Sequence, residues 1–368
     1  MKKTLFLCNT VYQVLVAIWI RYKYIPNDEA DIIISNHMNG YKIIAQNMIK
    51  TCLFNNVYTV DSLSFSKGDF SYKNKIKKYF NYFLPKYELK EFLDLKTKYD
   101  NLYFSNCDRF SALLYDVLKR KNRKLKLFMF EDGTSSYSQL IKKFYEVTAF
   151  PRNKLKYIAF KFIFRRHFIF GNVTAMYAFN PQFMEWKPDF SLLPLKHIDY
   201  NDEKLKNIIN IVFDYYSLED AYSEKYIFFE ESFYAETGYN EDLNLVEKLA
   251  EIVGKENIFI KIHPRNPVNR FQNLGFKTNK NTFIPWEVIA MNTDISDKKL
   301  ITIISSSILN PVSVFNMNSK GYSLINCLNN PPKIIEGEFG RLIIRLFKQY
   351  NDNIYICNDI MDIFKEIK

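Results

Sequence analysis

The feature that most limits what this chain can fold into is its rhythm: short apolar runs alternate with longer amphipathic stretches along nearly the whole sequence. A strand buried on both faces reads as a continuous apolar run, and parallel neighbours need a helical crossover between them. The alternation therefore predicts a mostly parallel α/β sheet wrapped by helices. Thr4–Cys8 reads as the first strand and Val11–Lys23 as the helix after it. Further strands are expected at Asp31–Ser35, Asn56–Val60, Asn101–Ser105, Lys126–Phe130 and, last in this half, Thr174–Phe179. Asn180–Tyr222 carries three prolines and no strand rhythm, and reads as a connection. The alternation resumes with strands at Tyr226–Glu230, Asn257–Ile262, Ile301–Ile304, Tyr322–Ile325 and Asn353–Cys357. Helices are expected at Asn240–Val253, Ile308–Phe315 and Asp359–Lys368.

With 368 residues the chain exceeds the roughly 250–300 at which single cores stop growing. Two domains are expected, 1–200 and 201–368, with a basic, aromatic, helical insertion at 64–98. Two Rossmann-like halves joined by a linker describe a GT-B architecture with its active site in the cleft between the halves. There is no GxGxxG and no GxxxxGK[ST], which argues against NAD enzymes and P-loop NTPases. No DxD stands where a diphosphate–metal pair would be held.

The formal net charge of +11 implies an anionic partner or surface. The basic residues concentrate in Lys73–Lys98 and Lys154–Arg166, interleaved with aromatics. The second segment reads either as a helix with a solvated cationic face or as a peripheral contact with an anionic membrane. Nucleic-acid binding is the weaker reading of the same charge, because these residues lie away from the candidate site. Five scattered cysteines without CxxC spacing fit free thiols in a reducing compartment. Four histidines without a ligand cluster predict no metal. The N-terminus has too short an apolar run for a signal peptide, and no stretch is long enough to span a bilayer. The expected location is the cytoplasm, with the inner membrane face as the site of any peripheral contact. A homodimer is compatible with the sequence.

In doubly wound sheets, ligands bind beyond the carboxyl ends of the strands, so the polar residues there carry the chemistry. Phe259–Pro267 ends a buried strand in His263-Pro264-Arg265, where the proline fixes the turn and an imidazole and a guanidinium can meet a phosphate. The competing reading is a histidine that only caps the sheet. Ser305, Ser306 and Ser307 follow another strand and open a helix, a pattern that supplies hydroxyls and free N–H groups to an anion; simple capping would need one serine. Pro285, Trp286 and Glu287 begin a short helix, where the first two can line a base pocket and Glu287 can accept from ribose hydroxyls. Together these form a mononucleotide site in the second domain. In the first domain, Asn9, Thr10 and Gln13 follow the first strand. Glu131, Asp132, Gly133 and Thr134 follow another, with Gly133 allowing a tight turn. Both turns can face a donor sugar or an acceptor, and Glu131 and Asp132 read equally well as turn and cap residues.

Four of these motifs, Cys8-Asn-Thr-Val-Tyr-Gln13, Phe130-Glu-Asp-Gly-Thr134, His263-Pro-Arg265 and Ser306, resemble in order those of family 52 glycosyltransferases, which include bacterial lipooligosaccharide and capsule sialyltransferases. The resemblance implies a GT-B fold, CMP-sialic acid as donor, inversion at the anomeric carbon and no metal or other cofactor. It implies a terminal galactoside of a lipooligosaccharide or capsule repeat as the glycan acceptor. By the same resemblance His263 assists the departing CMP phosphate, Ser305–Ser307 bind it and Glu287 holds the ribose. The family's acidic base sits in a Gly-Ser-Pro-acid turn after the first strand of the second domain. Here that region reads Phe229-Glu-Glu-Ser-Phe-Tyr-Ala-Glu236, leaving Glu231 and Glu230, then Glu236, as candidates. A transferase for another nucleotide sugar and a catalytically dead assembly partner are the rival readings.

Overall fold

The computed structural model describes residues 1–63, 89, 93, 95–139, 142, 158–163, 165–217 and 220–365. The expected insertion at 64–98 lies almost wholly outside these, as does 154–157. The described chain divides into two compact units, Met1–Leu195 and Lys196–Lys368, where the sequence suggests a division at 200/201.

Unit 1 is a seven-stranded sheet: β1 (Lys3–Cys8), β2 (Glu29–Ser35), β3 (Asn56–Val60), β4 (Asn101–Phe104), β5 (Lys126–Phe130), β6 (Val173–Ala178) and β7 (Ser191–Pro194). Their order is β3-β2-β1-β4-β5-β6-β7, and every pairing is parallel. Helices α1 (Val11–Lys23), α2 (Tyr41–Lys50) and α3 (Arg109–Lys121) supply crossovers. Thr10 caps α1, its hydroxyl accepting from Gln13 N, and Arg21 and Lys23 in the last turn complement the helix dipole. Register places Phe6 beside Tyr103 and Tyr103 beside Phe128. Their rings stack at 4.8 and 4.9 Å, a cross-strand aromatic ladder that fixes the order of β1, β4 and β5.

β7 corrects the sequence reading, which ended this half at Thr174–Phe179 and treated Asn180–Tyr222 as a connection. A four-residue edge strand closed by Pro194 has no alternation to detect, and proline is tolerated there because the edge needs no further donor. Within Lys154–Arg166, the described Ile158, Phe162 and Ile163 are exposed rather than packed on an aromatic face. Arg166 pairs with the buried Asp116 of α3.

Unit 2 is a six-stranded parallel sheet: β8 (Tyr226–Phe229), β9 (Ile258–Lys261), β10 (Lys277–Thr278), β11 (Lys299–Thr302), β12 (Lys320–Ser323) and β13 (Ile354–Ile356), in the order β10-β9-β8-β11-β12-β13. Its helices are α4 (Glu203–Val212), α5 (Phe233–Thr237), α6 (Glu241–Val253), α7 (Arg270–Asn273), α8 (Trp286–Asn292), α9 (Asn310–Phe315), α10 (Lys333–Glu336) and α11 (Glu338–Gln349). The helix expected at Ile308–Phe315 starts as a 3-10 turn over Ser306–Ile308 before becoming α9, with Pro311 in its first turn. Of the helix expected at Asp359–Lys368, the described part is a 3-10 segment, Ile360–Phe364, capped by Asp359.

Strand order reverses between β1 and β4 in unit 1 and between β8 and β11 in unit 2. The carboxyl edge at such a reversal is where a doubly wound fold binds ligands. No helix among the described residues is long and apolar enough to cross a membrane.

Candidate active site

At the reversal point of unit 2, β8 ends in two carboxylates. Glu230 turns toward β9 and Glu231 toward β11. Glu231 Oε1 accepts from Thr302 Oγ1 at 2.8 Å and from Ile304 N at 2.9 Å, and so ties β8 to the loop that carries the serines. Burial pushes the Glu231 carboxyl up to about 7, against these donors, which pull it down. A carboxylate titrating there can take and release a proton near neutrality.

His263 follows β9. Its ring Nδ1 accepts from Arg265 N at 3.2 Å, which leaves Nε2 as the protonated nitrogen and a donor. Burial, then the charges of Arg265 and Lys261, lower its pKa to about 4, so the ring is neutral across the ordinary working range. Pro264 and Arg265 are exposed, and the Arg265 guanidinium reaches Glu236 at 3.3 Å. Glu236 also accepts from Ser232 Oγ and lies on the surface.

The three serines divide. Ser305 caps the 3-10 turn, accepting from Ser307 N at 3.3 Å and donating to Ser307 Oγ at 3.1 Å. Ser306 stays half-exposed beyond that pair, at the mouth of the same turn. The simple-capping role thus accounts for Ser305 alone.

Other residues named from the sequence are buried. Glu230 is 2 % exposed and both its oxygens are taken, Oε1 by Arg270 Nη2 at 2.7 Å and Oε2 by His263 N at 3.0 Å. Each oxygen is thus held inside the fold by a donor of its own. Trp286 does not line an open base pocket: it is 3 % exposed and packs edge-on against Phe229 at 4.7 Å. Pro285, beside it, is likewise buried as the cap of α8. Glu287 is buried, accepts from Asn310 Nδ2 and lies near the buried Lys261, whose pKa falls to about 8 through burial. The Asn310 donor falls on Oε1.

Unit 1 gathers a second polar cluster where β1, β4 and β5 end. Asp132 Oδ1 accepts from Thr10 Oγ1 at 2.9 Å, and Gln13 and Asn106 also donate to this carboxylate. Burial nevertheless raises its pKa. Gln13, fully buried, accepts from Asn9 N at 2.7 Å and donates to Asn106 Oδ1 at 3.2 Å. Asn9 Nδ2 donates to Asp108 Oδ2 at 3.0 Å. Glu131 instead points inward and is held by Tyr12 OH at 2.7 Å, Tyr137 OH and Phe179 N at 2.8 Å, a structural anchor. Gly133 adopts φ +61, the left-handed turn its position calls for, and Thr134 closes a bridge with Asp132. Asn106 and Asp108 are absent from the sequence reading, although their place just after β4 at the reversal point is a usable signal.

Among solved structures, the spinosyn forosaminyltransferase SpnP superposes with a TM-score of 0.51 at 10% identity, covering 98% of this chain and 88% of its own. The alpha/beta-galactoside alpha-2,3-sialyltransferase of the luminous marine bacterium Photobacterium phosphoreum does so with a TM-score of 0.50 at 13% identity, covering 98% and 99%. At such identities the likeness speaks for the fold, which is GT-B. No curated protein matches the chain in sequence. A family model described as alpha-2,8-polysialyltransferase matches residues 4–322, from β1 through to β12, and the chain belongs to that glycosyltransferase family.

Proposed function

We propose that this chain moves sialic acid from CMP-sialic acid to a hydroxyl on the sialic acid terminus of a bacterial surface glycan, with inversion and without a metal. The observation that carries the reading is His263: a neutral ring at the carboxyl edge of unit 2, its Nδ1 occupied and its Nε2–H free to donate to a phosphate oxygen. In the reaction the acceptor oxygen bonds to the anomeric carbon as its proton passes to a carboxylate. The anomeric carbon–oxygen bond to CMP breaks, and the monophosphate leaves with its electron pair. That leaving group carries less charge than a nucleoside diphosphate, so Nε2–H and the Ser306 and Ser307 hydroxyls are sufficient donors. Inclusion of a chelator is expected to leave the rate unchanged.

Glu231 is the base in this scheme, because its pKa of about 7 suits proton transfer. A second reading, favoured by the burial-raised Asp132 and its three side-chain donors, places the base in unit 1. Asn9, Thr10, Gln13, Gly133 and Thr134 then frame the acceptor side. Turnover of Glu231→Gln and Asp132→Asn separates the two: loss of about 10²–10⁴-fold is expected for the base, and a variant that keeps its rate is not the base. The test of the function itself is CMP release from CMP-sialic acid with a sialylated acceptor. A terminal galactoside, the acceptor implied by the sequence resemblance, is the alternative arm of the same assay. Turnover of a UDP-sugar with none of CMP-sialic acid would contradict the donor.

A further inference from the structure

Arg270 belongs to none of the motifs that mark this site, yet it is 7 % exposed and fully engaged at both terminal nitrogens. Nη2 donates to Glu230 Oε1 at 2.7 Å and to Asp242 Oδ2 at 2.5 Å. Nη1 donates to Asp242 Oδ1 at 3.0 Å, to Asn240 Oδ1 at 2.8 Å and to Tyr239 O at 3.2 Å. The guanidinium also lies over the ring of Tyr234, 4.4 Å from its centre. Three carboxylate contacts, the Asn240 side-chain oxygen and the Tyr239 carbonyl converge on one buried cation of α7, and these partners come from just after β8 and from the start of α6 and the residues before it.

A buried ion pair of this kind is weak evidence for stability, since well-packed apolar side chains often do as well. What it supplies is a single geometry, and here that geometry ends on the His263 backbone. Glu230 spans the two: Oε1 is held by Arg270 and Oε2 accepts the His263 N–H at 3.0 Å. The adjoining Ile262 N–H is fixed separately by Asn279 Oδ1 at 2.6 Å, so the chain is pinned on both sides of the peptide that leads into the imidazole.

We infer that Arg270 is a positioning residue: backed by Asp242, it holds the Glu230 carboxylate in one rotamer, and Glu230 in turn aims His263 Nε2 at the departing phosphate. The inference rests on the reading of His263 as the phosphate-side donor. Misplacement of a catalytic group by about 1 Å can cost on the order of 10²-fold in rate, so loosening this clamp is expected to act on turnover more than on donor binding.

The test uses the full chain carrying Glu230→Gln, Arg270→Lys or His263→Ala, and Glu230→Gln combined with His263→Ala. Affinity for CMP is read by calorimetry, kcat and KM by CMP release from CMP-sialic acid, and folding by thermal melting. Glu230→Gln, which keeps the volume and an oxygen able to accept from His263 N–H, is expected to lower kcat about tenfold or more with KM changed less than about threefold. Arg270→Lys, which keeps the charge but not the fork, is expected to fall between Glu230→Gln and the unaltered chain. In the His263→Ala background the effect of Glu230→Gln on the residual kcat is expected to shrink below about twofold, because the group it positions is gone. Equal loss in both backgrounds, or full activity of Glu230→Gln, overturns the positioning role while leaving the function standing. Unchanged CMP affinity and turnover in His263→Ala overturns the phosphate-side role of His263 and the inference with it, whereas no CMP release by the unaltered chain overturns the function. If Arg270→Lys does not fold, Glu230→Gln decides the matter alone, since Arg270 keeps Asp242 in that variant.

Discussion

Glu230 and Glu231 are chemically identical neighbours, yet β8 sends one toward β9 and Arg270 and the other toward β11 and the serine loop. Glu230 spends both oxygens on a guanidinium and a backbone amide, whereas Glu231 is half-buried, is held by a hydroxyl and a backbone amide, and rises to about 7. Two consequences are measurable. As a base Glu231 must be ionised, so kcat/KM is expected to climb with pH and level off above about 7, a limb that Glu231→Gln removes. The same shift acts on folding. The folded value lies above the ordinary 4.5, so the native state binds the extra proton and stability falls as pH rises from about 4.5 through about 7. Urea midpoints at about pH 5 and 8 should show this slope in the unaltered chain and a shallower one in Glu231→Gln. None of this division was legible in the sequence, where both glutamates follow one strand and only the partners across the sheet tell them apart.

At the scale of elements, strand ends were legible and burial was not. The apolar runs at Thr4–Cys8, Lys126–Phe130 and Tyr226–Glu230 announce strands, and β-α alternation places their carboxyl ends, so the His263 and Ser305–Ser307 turns could be found from sequence alone. Pro285, Trp286 and Glu287 open a helix as expected, but a helix start does not say which way its side chains turn. Here α8 turns Trp286 into Phe229 and Glu287 toward Asn310. The two kinds of residue predict opposite phenotypes. Trp286→Ala should cost about 3–5 kcal/mol of stability by opening a cavity, read from denaturant midpoints. Ser306→Ala should cost under about 0.5 kcal/mol yet weaken CMP binding. β7 and the two-residue β10 escaped detection because neither is long enough to show a period. In unit 1, Thr10 both caps α1 and donates to Asp132, so Thr10→Ala should lose about 1 kcal/mol in thermal or chemical melts and disturb the polar cluster together.

For the molecule as a whole, length and a doubled alternation were enough to expect two Rossmann-like halves, and each sheet reverses its strand order once. The net charge of +11 suits a polyanionic glycan better than a neutral one. Raising ionic strength should therefore raise KM for a sialylated acceptor more than KM for the nucleotide donor, because only the former samples charge over long distances. The donor side bears the central claim: that unit 2 holds a cytidine monophosphate through His263 and the serine turn. Calorimetric titration of the full chain with CMP tests it most directly. The account predicts saturable CMP binding that weakens at least about tenfold, roughly 1.4 kcal/mol, in both His263→Ala and Ser306→Ala. Unchanged affinity in both variants, or tighter binding of UDP than of CMP, would contradict it.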